Sequence, residues 1–436
     1  MRDHLISATH WHRPINRATS GVEQMITSHR KTVYEALGRE PVHPFPARMA
    51  PGIALDILSE PSKPVRVLDP MMGSGTVIAL ARSQGHRATG FDIDPLAVLI
   101  SKVWSKAIDP AMVQDKAAEV LERARSLFLS LSTRDAYPTH ADQETRRFTA
   151  YWFDDYARRQ LAFFSTAISR VHDDATRDVL WCSFSRLIIA KQAGASLAMD
   201  LAHSRPHKSY DRAPAKPLST FATAVARVIE NCVHTTTNPR GPEPRFDEGD
   251  ARCMSLSDGS VDLVLTSPPY LNAIDYLRCS KFSLIWMGHK IGELRRIRAR
   301  SVGTEVGSGA PQDDPTIREI IRDMKLRPKL TCVDEAILAR YIDDARLLMR
   351  ETARVLSPGG KAVYVVGENT IRGTYVRNSV VISAAAELCG LKQFARHTRK
   401  LRANRRYLPP PMRRGSAELN ARMRREVVLG FTTRLH

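Results

Sequence analysis

Residues 65–94 read VRVLDPMMGSGTVIALARSQGHRATGFDID, and this stretch decides the fold. Residues 65–69 are a short apolar run that leads into a turn containing Gly73 and Gly75. The next residues have helical periodicity as far as Gly85, a typical helix stop, and residues 87–94 predict a second strand. A strand, a glycine turn, a helix and a second strand make a βαβ unit, so we expect an α/β protein with a parallel sheet.

The polar residues of this stretch favour a bound nucleoside. A glycine turn between a parallel strand and a helix lets a ligand approach the backbone at the helix N-terminus. Asp69, where the first strand ends, can accept hydrogen bonds from an ammonium group. Asp92 lies 19 residues after Gly73, where an acid typically binds a ribose diol. A purely structural turn is the alternative; Asp92 would then be a helix N-cap, although Asp94 fits that position better.

A second stretch, VDLVLTSPPYLNAIDYL at residues 261–277, ends an apolar strand in two prolines and a tyrosine. Proline removes a backbone donor and fixes its own φ, and it holds the preceding residue extended. Pro268 and Pro269 therefore predict a rigid corner whose backbone carbonyls have no partner in the sheet. Such a corner is either a plain strand stop or a platform for a flat polar ligand.

The composition points to a polyanionic partner. The 436 residues include 65 Lys and Arg against 46 Asp and Glu, a net charge of +19, which favours nucleic acid; an Arg-rich proteome is the alternative. At this length we expect one elaborated domain or two. The six cysteines form no C-x-x-C pair, which argues against a zinc site or a disulfide framework and fits a reducing cytoplasm. No apolar run has the length of a membrane span.

The motifs together resemble one family. DPMMGSGT at 69–76, GFDID at 90–94 and TSPPY at 266–270 resemble the amino-group DNA methyltransferases, which methylate cytosine N4 or adenine N6 with S-adenosyl-L-methionine. The resemblance covers about residues 41–105 and 245–370. It implies a Rossmann-like class I methyltransferase core, with a mostly parallel seven-stranded sheet, and a large helical insertion.

The resemblance also implies the cofactor site. The glycine turn would hold the methionine end of the cofactor, and Asp92 its ribose. The turn at 249–251 is similar to the family's acidic turn for the adenine amino group, and residues 43–48 (HPFPAR) to its N-terminal flanking motif, an extended connector being the alternative for the latter. The expected cofactor-binding residues are Asp69, Pro70, Met71, Gly73, Gly75, Thr76, Asp92, Ile93, Asp250, Ala251, Thr266, His43 and Pro46.

The same resemblance makes Ser267, Pro268, Pro269 and Tyr270 the catalytic motif. An exocyclic base amine is a poor nucleophile because its lone pair is delocalised into the ring. Two acceptors, the Ser267 hydroxyl and the Pro268 carbonyl, would favour pyramidalisation, while Tyr270 would stack on a base flipped out of the duplex. In the family, Ser in the first motif position goes more often with cytosine N4 and Asp with adenine N6, so Ser267 favours cytosine.

We expect residues 1–40 to be an N-terminal extension, 41–105 and 241–436 the methyltransferase core, and 106–240 a helical insertion that is a candidate target-recognition region. The competing candidate is 290–330, expected to be a mobile Arg-rich loop with Arg295, Arg296, Arg298 and Arg300. Residues 391–436 carry 13 Lys and Arg against 2 acids, which predicts phosphate contacts. The C-terminal candidates, grouped around Tyr407, are Arg402, Arg405, Arg406, Arg413 and Arg414.

Two other functions remain open from the sequence. RNA methyltransferases acting on guanine N2 carry similar motifs, usually with Asp before the prolines. A cofactor-binding partner subunit that has lost catalysis should have a broken motif, and both motifs here are intact. We expect duplex DNA as the partner, no membrane association, a monomer or homodimer in the cytoplasm at the nucleoid, and a cognate restriction endonuclease as a candidate partner.

Overall fold

The computed structural model describes residues 31–45, 49–128, 130, 136–190, 194–203, 206–236, 240–271, 275–305, 314–326, 330–371, 374–400 and 425–433. In this part of the chain seven strands form one sheet: β1 Arg66–Asp69, β2 Arg87–Asp92, β3 Arg245–Glu248, β4 Val261–Thr266, β5 Leu356–Gly367, β6 Lys392–Lys400 and β7 Arg425–Thr432. Their order in the sheet is β6-β7-β5-β4-β1-β2-β3. β7 runs antiparallel to both β5 and β6, whereas the pairs β1–β2, β2–β3 and β4–β5 are parallel. The expected Rossmann-like class I methyltransferase fold is confirmed.

The chain divides into two compact units. The first consists of the described residues of Arg30–Asp250 and Ile274–Ala299, and the second of those of Ala251–Ala273 and Arg300–His436. The first unit therefore contains β1 to β3, and the second contains β4 to β7.

The helices of the first unit are α1 Val33–Leu37, α2 Pro51–Leu58, α3 Thr76–Ser83, α4 Pro95–Ser105, α5 Pro110–Phe128, α6 Gln143–Trp152, α7 Asp155–Ile168, α8 Asp174–Ile188, α9 Pro217–Glu230, α10 Leu277–Leu284 and α11 Ile291–Arg300, the last residue of which falls in the second unit. Short 3-10 turns span Leu201–His203 and Ile285–Met287. Ala107–Ile108 pairs with Val233–His234, and Ala198–Met199 with His207–Lys208.

The local chemistry explains why this unit folds as the sequence predicts. Gly73 and Gly75 have φ of +51° and +83°, so the turn between β1 and α3 uses the left-handed backbone that glycine tolerates. α4 begins at Pro95 behind Asp94, whose carboxylate caps the helix by accepting from the Leu96 N–H at 2.9 Å. The expectation that Asp94 is the N-cap is therefore confirmed.

Residues 106–240 are mainly helical, as the 3.6-residue periodicity predicts. α5, α7, α8 and α9 pack on one another, and α8 also packs on α4. The rings of Phe164 and Phe221 are in contact, tilted at 34° with centroids 4.4 Å apart, and the Ser165 hydroxyl donates to the Trp286 carbonyl at 2.6 Å. These helices share one apolar core with α4 and α10. Their role as a separate recognition region stays a prediction.

The helices of the second unit are α12 Pro315–Asp323, α13 Cys332–Val355 and α14 Asn378–Leu388, and a small hairpin pairs Asn369–Ile371 with Thr374–Val376. The core strand β5 carries Ala362, Val363, Tyr364, Val365 and Val366, all nearly inaccessible to solvent, as in strands covered on both faces. Of the described helices, none is long and apolar enough to cross a membrane.

One expectation is wrong. The described residues of 290–330 do not form one long loop, because they include α11 and α12. The many arginines and glycines of this segment obscure the apolar spacing of its two helices. Leu294 and Ile297 are buried on α11, and Ile317 and Ile320 are buried on α12, each pair three residues apart.

Candidate functional site

The first unit carries the glycine turn. A Cβ on Gly75 would lie 2.2 Å from the Ser101 hydroxyl oxygen, so no other residue fits between the turn and α4. α3 starts at Thr76 with no side chain capping its first N–H groups. The Thr76 hydroxyl is buried and has no hydrogen-bond partner among the described atoms. A helix N-terminus without a side-chain cap, beside a buried hydroxyl, suits an anionic or polar ligand group.

Asp92 ends β2 and faces this turn. One carboxylate oxygen accepts from the Gly73 N–H at 2.8 Å and the other from the Asp94 N–H at 2.9 Å. Desolvation raises the pKa of Asp92 to about 6, and these backbone hydrogen bonds oppose the rise. Because each carboxylate oxygen has further lone pairs, Asp92 can still accept from a ligand diol.

Asp94 is the second desolvated acid of this unit. The Ser280 hydroxyl of α10 donates to it at 2.5 Å. Desolvation raises the pKa of Asp94 to about 7, and the charge of Asp92 contributes to the rise. The Ser280 hydrogen bond thus joins α10 to the end of β2, a contact for which the sequence carries no signal.

An aromatic pair lies beside the same turn. The rings of Phe45 and Tyr276 stack at 5.3 Å with an interplanar angle of 7°. A Cβ on Gly73 would lie 3.5 Å from the Phe45 ring. Desolvation is the main cause that raises the pKa of Tyr276, and the charge of Asp92 adds to the rise. Phe45 stands inside the motif at residues 43–48, but no local sequence signal pairs it with Tyr276.

His43 makes a buried contact within this unit, and its predicted role in cofactor binding stays a prediction. Its side chain is buried, and Nε2 lies 3.0 Å from the Ser185 hydroxyl, which donates to Ser283 at 2.8 Å. His43 therefore connects the segment before α2 to α8 and α10. Pro46, the other residue predicted from this motif, lies outside the described residues.

The remaining predicted cofactor residues of this unit lie at strand ends. Asp69 is buried at the end of β1 and accepts from the Met71 N–H at 3.2 Å. Pro70 and Met71 follow it in the turn, and Ile93 follows Asp92. Gly249 donates to the Asp92 carbonyl at 3.0 Å, which puts the turn containing Asp250 directly after β3, next to the end of β2. Ala251 belongs to the second unit and is buried.

The second unit carries the Ser-Pro-Pro-Tyr motif at the end of β4. Thr266 is fully buried. The Ser267 hydroxyl donates to the Val365 carbonyl of β5 at 2.9 Å, so its proton is used and its lone pairs remain acceptors. Pro268 is buried, while Pro269 and Tyr270 are partly exposed. The sequence did not reveal that Gly367, Asn369 and Gly303 contact Tyr270 and the residue after it.

The predicted phosphate-binding arginines of α11 differ from one another. Arg295 is paired with Glu144, and Arg298 with Asp275 at 2.5 Å. Arg296 is exposed, as is Arg300, whose carbonyl accepts from Arg252 at 2.6 Å. Arg402, Arg405, Arg406, Arg413 and Arg414 lie outside the described residues.

The chain is similar by sequence to two curated Type II methyltransferases. It is 22% identical to Type II methyltransferase M.MvaI from Kocuria varians over 376 residues, which covers 78% of this chain and 79% of that protein. It is 24% identical to Type II methyltransferase M.BsoBI from Geobacillus stearothermophilus over 313 residues, 63% of this chain and 59% of that protein. No protein-family model matches.

Solved structures overlap only loosely. A SAM-dependent methyltransferase from Methanosarcina mazei overlaps 87% of this chain and 97% of its own, with 9% identity and a TM-score of 0.31. A Thermus thermophilus protein, described as a DNA modification methylase, overlaps 43% of this chain and 51% of its own, with 17% identity and a TM-score of 0.22. The fold thus rests on the sheet order, and the similarity to Type II methyltransferases rests on sequence.

Proposed function

We propose that this chain is a site-specific DNA methyltransferase that transfers a methyl group to the exocyclic N4 amine of a flipped cytosine. The methyl donor is S-adenosyl-L-methionine. Similarity to Type II methyltransferases over about four fifths of one relative supports the DNA substrate. The hydrogen bond from Ser267 to Val365 carries the proposal, because it fixes the hydroxyl as an acceptor for the target amine.

The first unit binds the cofactor. The backbone N–H groups at the start of α3 and the buried Thr76 hydroxyl bind its methionine end, as does Asp69 through the ammonium group. Asp92 accepts from the ribose hydroxyls in its ionised form. Asp250 accepts from the adenine amino group. When bound, the cofactor supplies an electrophilic methyl group on a sulfonium.

The second unit prepares the nucleophile. The Ser267 hydroxyl oxygen and the Pro268 carbonyl accept hydrogen bonds from the two N–H groups of the target amine, and this turns its lone pair out of conjugation. The rings of Pro268 and Pro269 fix φ at both residues, which limits the movement of the backbone that carries the acceptor carbonyl. Tyr270 stacks on the flipped base and so compensates for the stacking that the base loses.

DNA binding is assigned to basic residues outside these two motifs. Arg296, Arg300 and the arginines of 402–414 contact backbone phosphates, which adds affinity without choosing the sequence. Arg295 and Arg298 contribute less, because each is already paired with a carboxylate. The helices of 106–240 are the candidate for reading bases.

A direct test compares substrates. The chain is incubated with methyl-labelled S-adenosyl-L-methionine and either mixed-sequence duplex DNA or total RNA of equal nucleotide concentration. We expect label in DNA alone. Label in RNA alone would replace this proposal with the guanine-N2 RNA alternative.

A further inference from the structure

We infer that the residues at and just beyond the end of β5, which we call the seat, hold the catalytic loop, residues 267–271, in a fixed position. Gly367 and Asn369 are the positioning residues of this seat. This rests on the proposed function, in which Tyr270 stacks on the target base. The seat is built within the second unit, from residues that none of the sequence motifs contains.

Gly367 leaves room for the Tyr270 ring. A Cβ at this position would lie 2.6 Å from both Cε2 and Cζ of Tyr270 and 3.1 Å from Cδ2. Real Cβ atoms do not come so close to a ring, and Gly367 sits in a paired strand whose backbone cannot yield easily. Any side chain at residue 367 must therefore push the Tyr270 ring out of its place.

Asn369 holds the backbone just beyond the ring. Its Nδ2 donates to the carbonyl of Leu271, the residue after Tyr270. The amide of Asn369 is itself oriented by Asn378, whose Nδ2 lies 3.3 Å from Asn369 Oδ1 and 2.8 Å from the Gly367 carbonyl. Asn369 and Asn378 are both buried, so their orientation does not depend on solvent.

Two more contacts complete the seat. The Ser267 hydroxyl is bonded to Val365, two residues before Gly367. On the other side Gly303, with φ of +74°, comes so close that its Cβ would lie 3.0 Å from the Tyr270 carbonyl oxygen. Its N–H donates to Asp344 at 3.2 Å. The Ser267 hydroxyl, the Tyr270 ring and the Leu271 carbonyl thus all contact residues at or just beyond the end of β5. These contacts fix the position of the stacking ring relative to the acceptor hydroxyl.

The test is a double-mutant cycle on methyl transfer. Gly367→Ala should lower the rate about 100-fold, the cost of displacing a reacting group by about 1 Å, with cofactor affinity unchanged. In a Tyr270→Ala background it should cost nothing further, because the clash partner is gone. Independent, multiplying losses would overturn the inference. Gly292→Ala is the matched control, since the nearest atom to its Cβ would be 3.9 Å away.

A second readout separates the seat from the proposed function. Hydrogen exchange at the amides of Tyr270 and Leu271 should become faster in both Gly367→Ala and Asn369→Ala, while exchange in β1 stays the same. This holds even for a chain that transfers no methyl group to DNA, and Asn369→Ala serves if Gly367→Ala does not fold. Unchanged exchange at these two amides in Asn369→Ala would refute the seat, whatever the substrate assay gives.

Discussion

The two units differ in the kind of oxygen acceptor that they carry: ionisable carboxylates in the first and neutral groups in the second. In the first, Asp92 and Asp94 are carboxylates that desolvation drives towards protonation, with pKa values of about 6 and 7. In the second, the acceptors of the motif are a hydroxyl and carbonyls, which are neutral at any working pH. Glu368 is one of the buried acids of the second unit, and both its oxygens accept hydrogen bonds from Ser379.

This difference matches two kinds of ligand. A charged acceptor binds ribose hydroxyls and ammonium groups strongly. A neutral acceptor orients an amine without favouring its protonated form. Protonation would remove the lone pair that must attack the methyl group. The first unit should therefore control affinity for the cofactor and its dependence on pH, and the second should control the rate of transfer.

The largest expected effect comes from Tyr270→Ala. We expect methyl transfer to fall by about 100-fold, because the flipped base loses its stacking partner and its alignment. Cofactor affinity, measured by calorimetry, should not change. Tyr34→Ala, which removes an exposed tyrosine of α1, is the control. An equal loss of affinity and rate would mean that Tyr270 supports folding and would remove the contrast between the units.

Asp92→Asn should have the next largest effect. We expect cofactor affinity to fall about 10- to 100-fold, or roughly 1–3 kcal/mol, because charge-assisted hydrogen bonds are lost. In the unchanged chain only the ionised acid binds the diol, so affinity should rise as pH increases through about 6. In the variant that rise should be absent.

The control for this titration is Asp115→Asn, which changes an exposed acid of α5. Calorimetry of all three chains from pH 5 to 8 makes the comparison. Persistence of the pH dependence in Asp92→Asn would assign the titration to Asp94 and refute the ribose contact of Asp92.

The smallest expected effect is that of a single phosphate contact. Arg296→Gln should lower the slope of log affinity for DNA against log salt concentration by about one. Arg295→Gln should change it less, because Arg295 is paired with Glu144. Fluorescence anisotropy over a range of about 50 to 300 mM salt measures the slope for each variant and for the unchanged chain. Equal slopes in the three proteins would place α11 away from the DNA backbone.

Much of the fold follows from local sequence. The left-handed glycines, Pro95 behind Asp94 and the period of the helices in 106–240 each act within a few residues, so a pattern reveals them. The sequence does not predict α11 and α12, because in each helix only one pair of buried apolar residues, three apart, stands among many charged residues. Such short helices bury only two side chains each, and the composition of a segment does not reveal so small an apolar face.

The site divides in the same way. The positions of Asp92 and Ser267 follow from motif spacing at strand ends. Ser280 beside Asp94, Gly367 beneath Tyr270 and Asn369 on Leu271 are separated by some 97 to 186 residues in sequence. No local pattern marks them, because only the packing of strands and helices brings them together.

The most direct measurement identifies the methylated nucleoside. Duplex DNA of mixed sequence is incubated with the chain and methyl-labelled S-adenosyl-L-methionine, then digested to nucleosides and analysed by mass spectrometry. The proposal predicts label in N4-methylcytosine. Label in N6-methyladenine would keep the DNA substrate and contradict the base assignment from Ser267, and absence of label from DNA would contradict the proposed function itself.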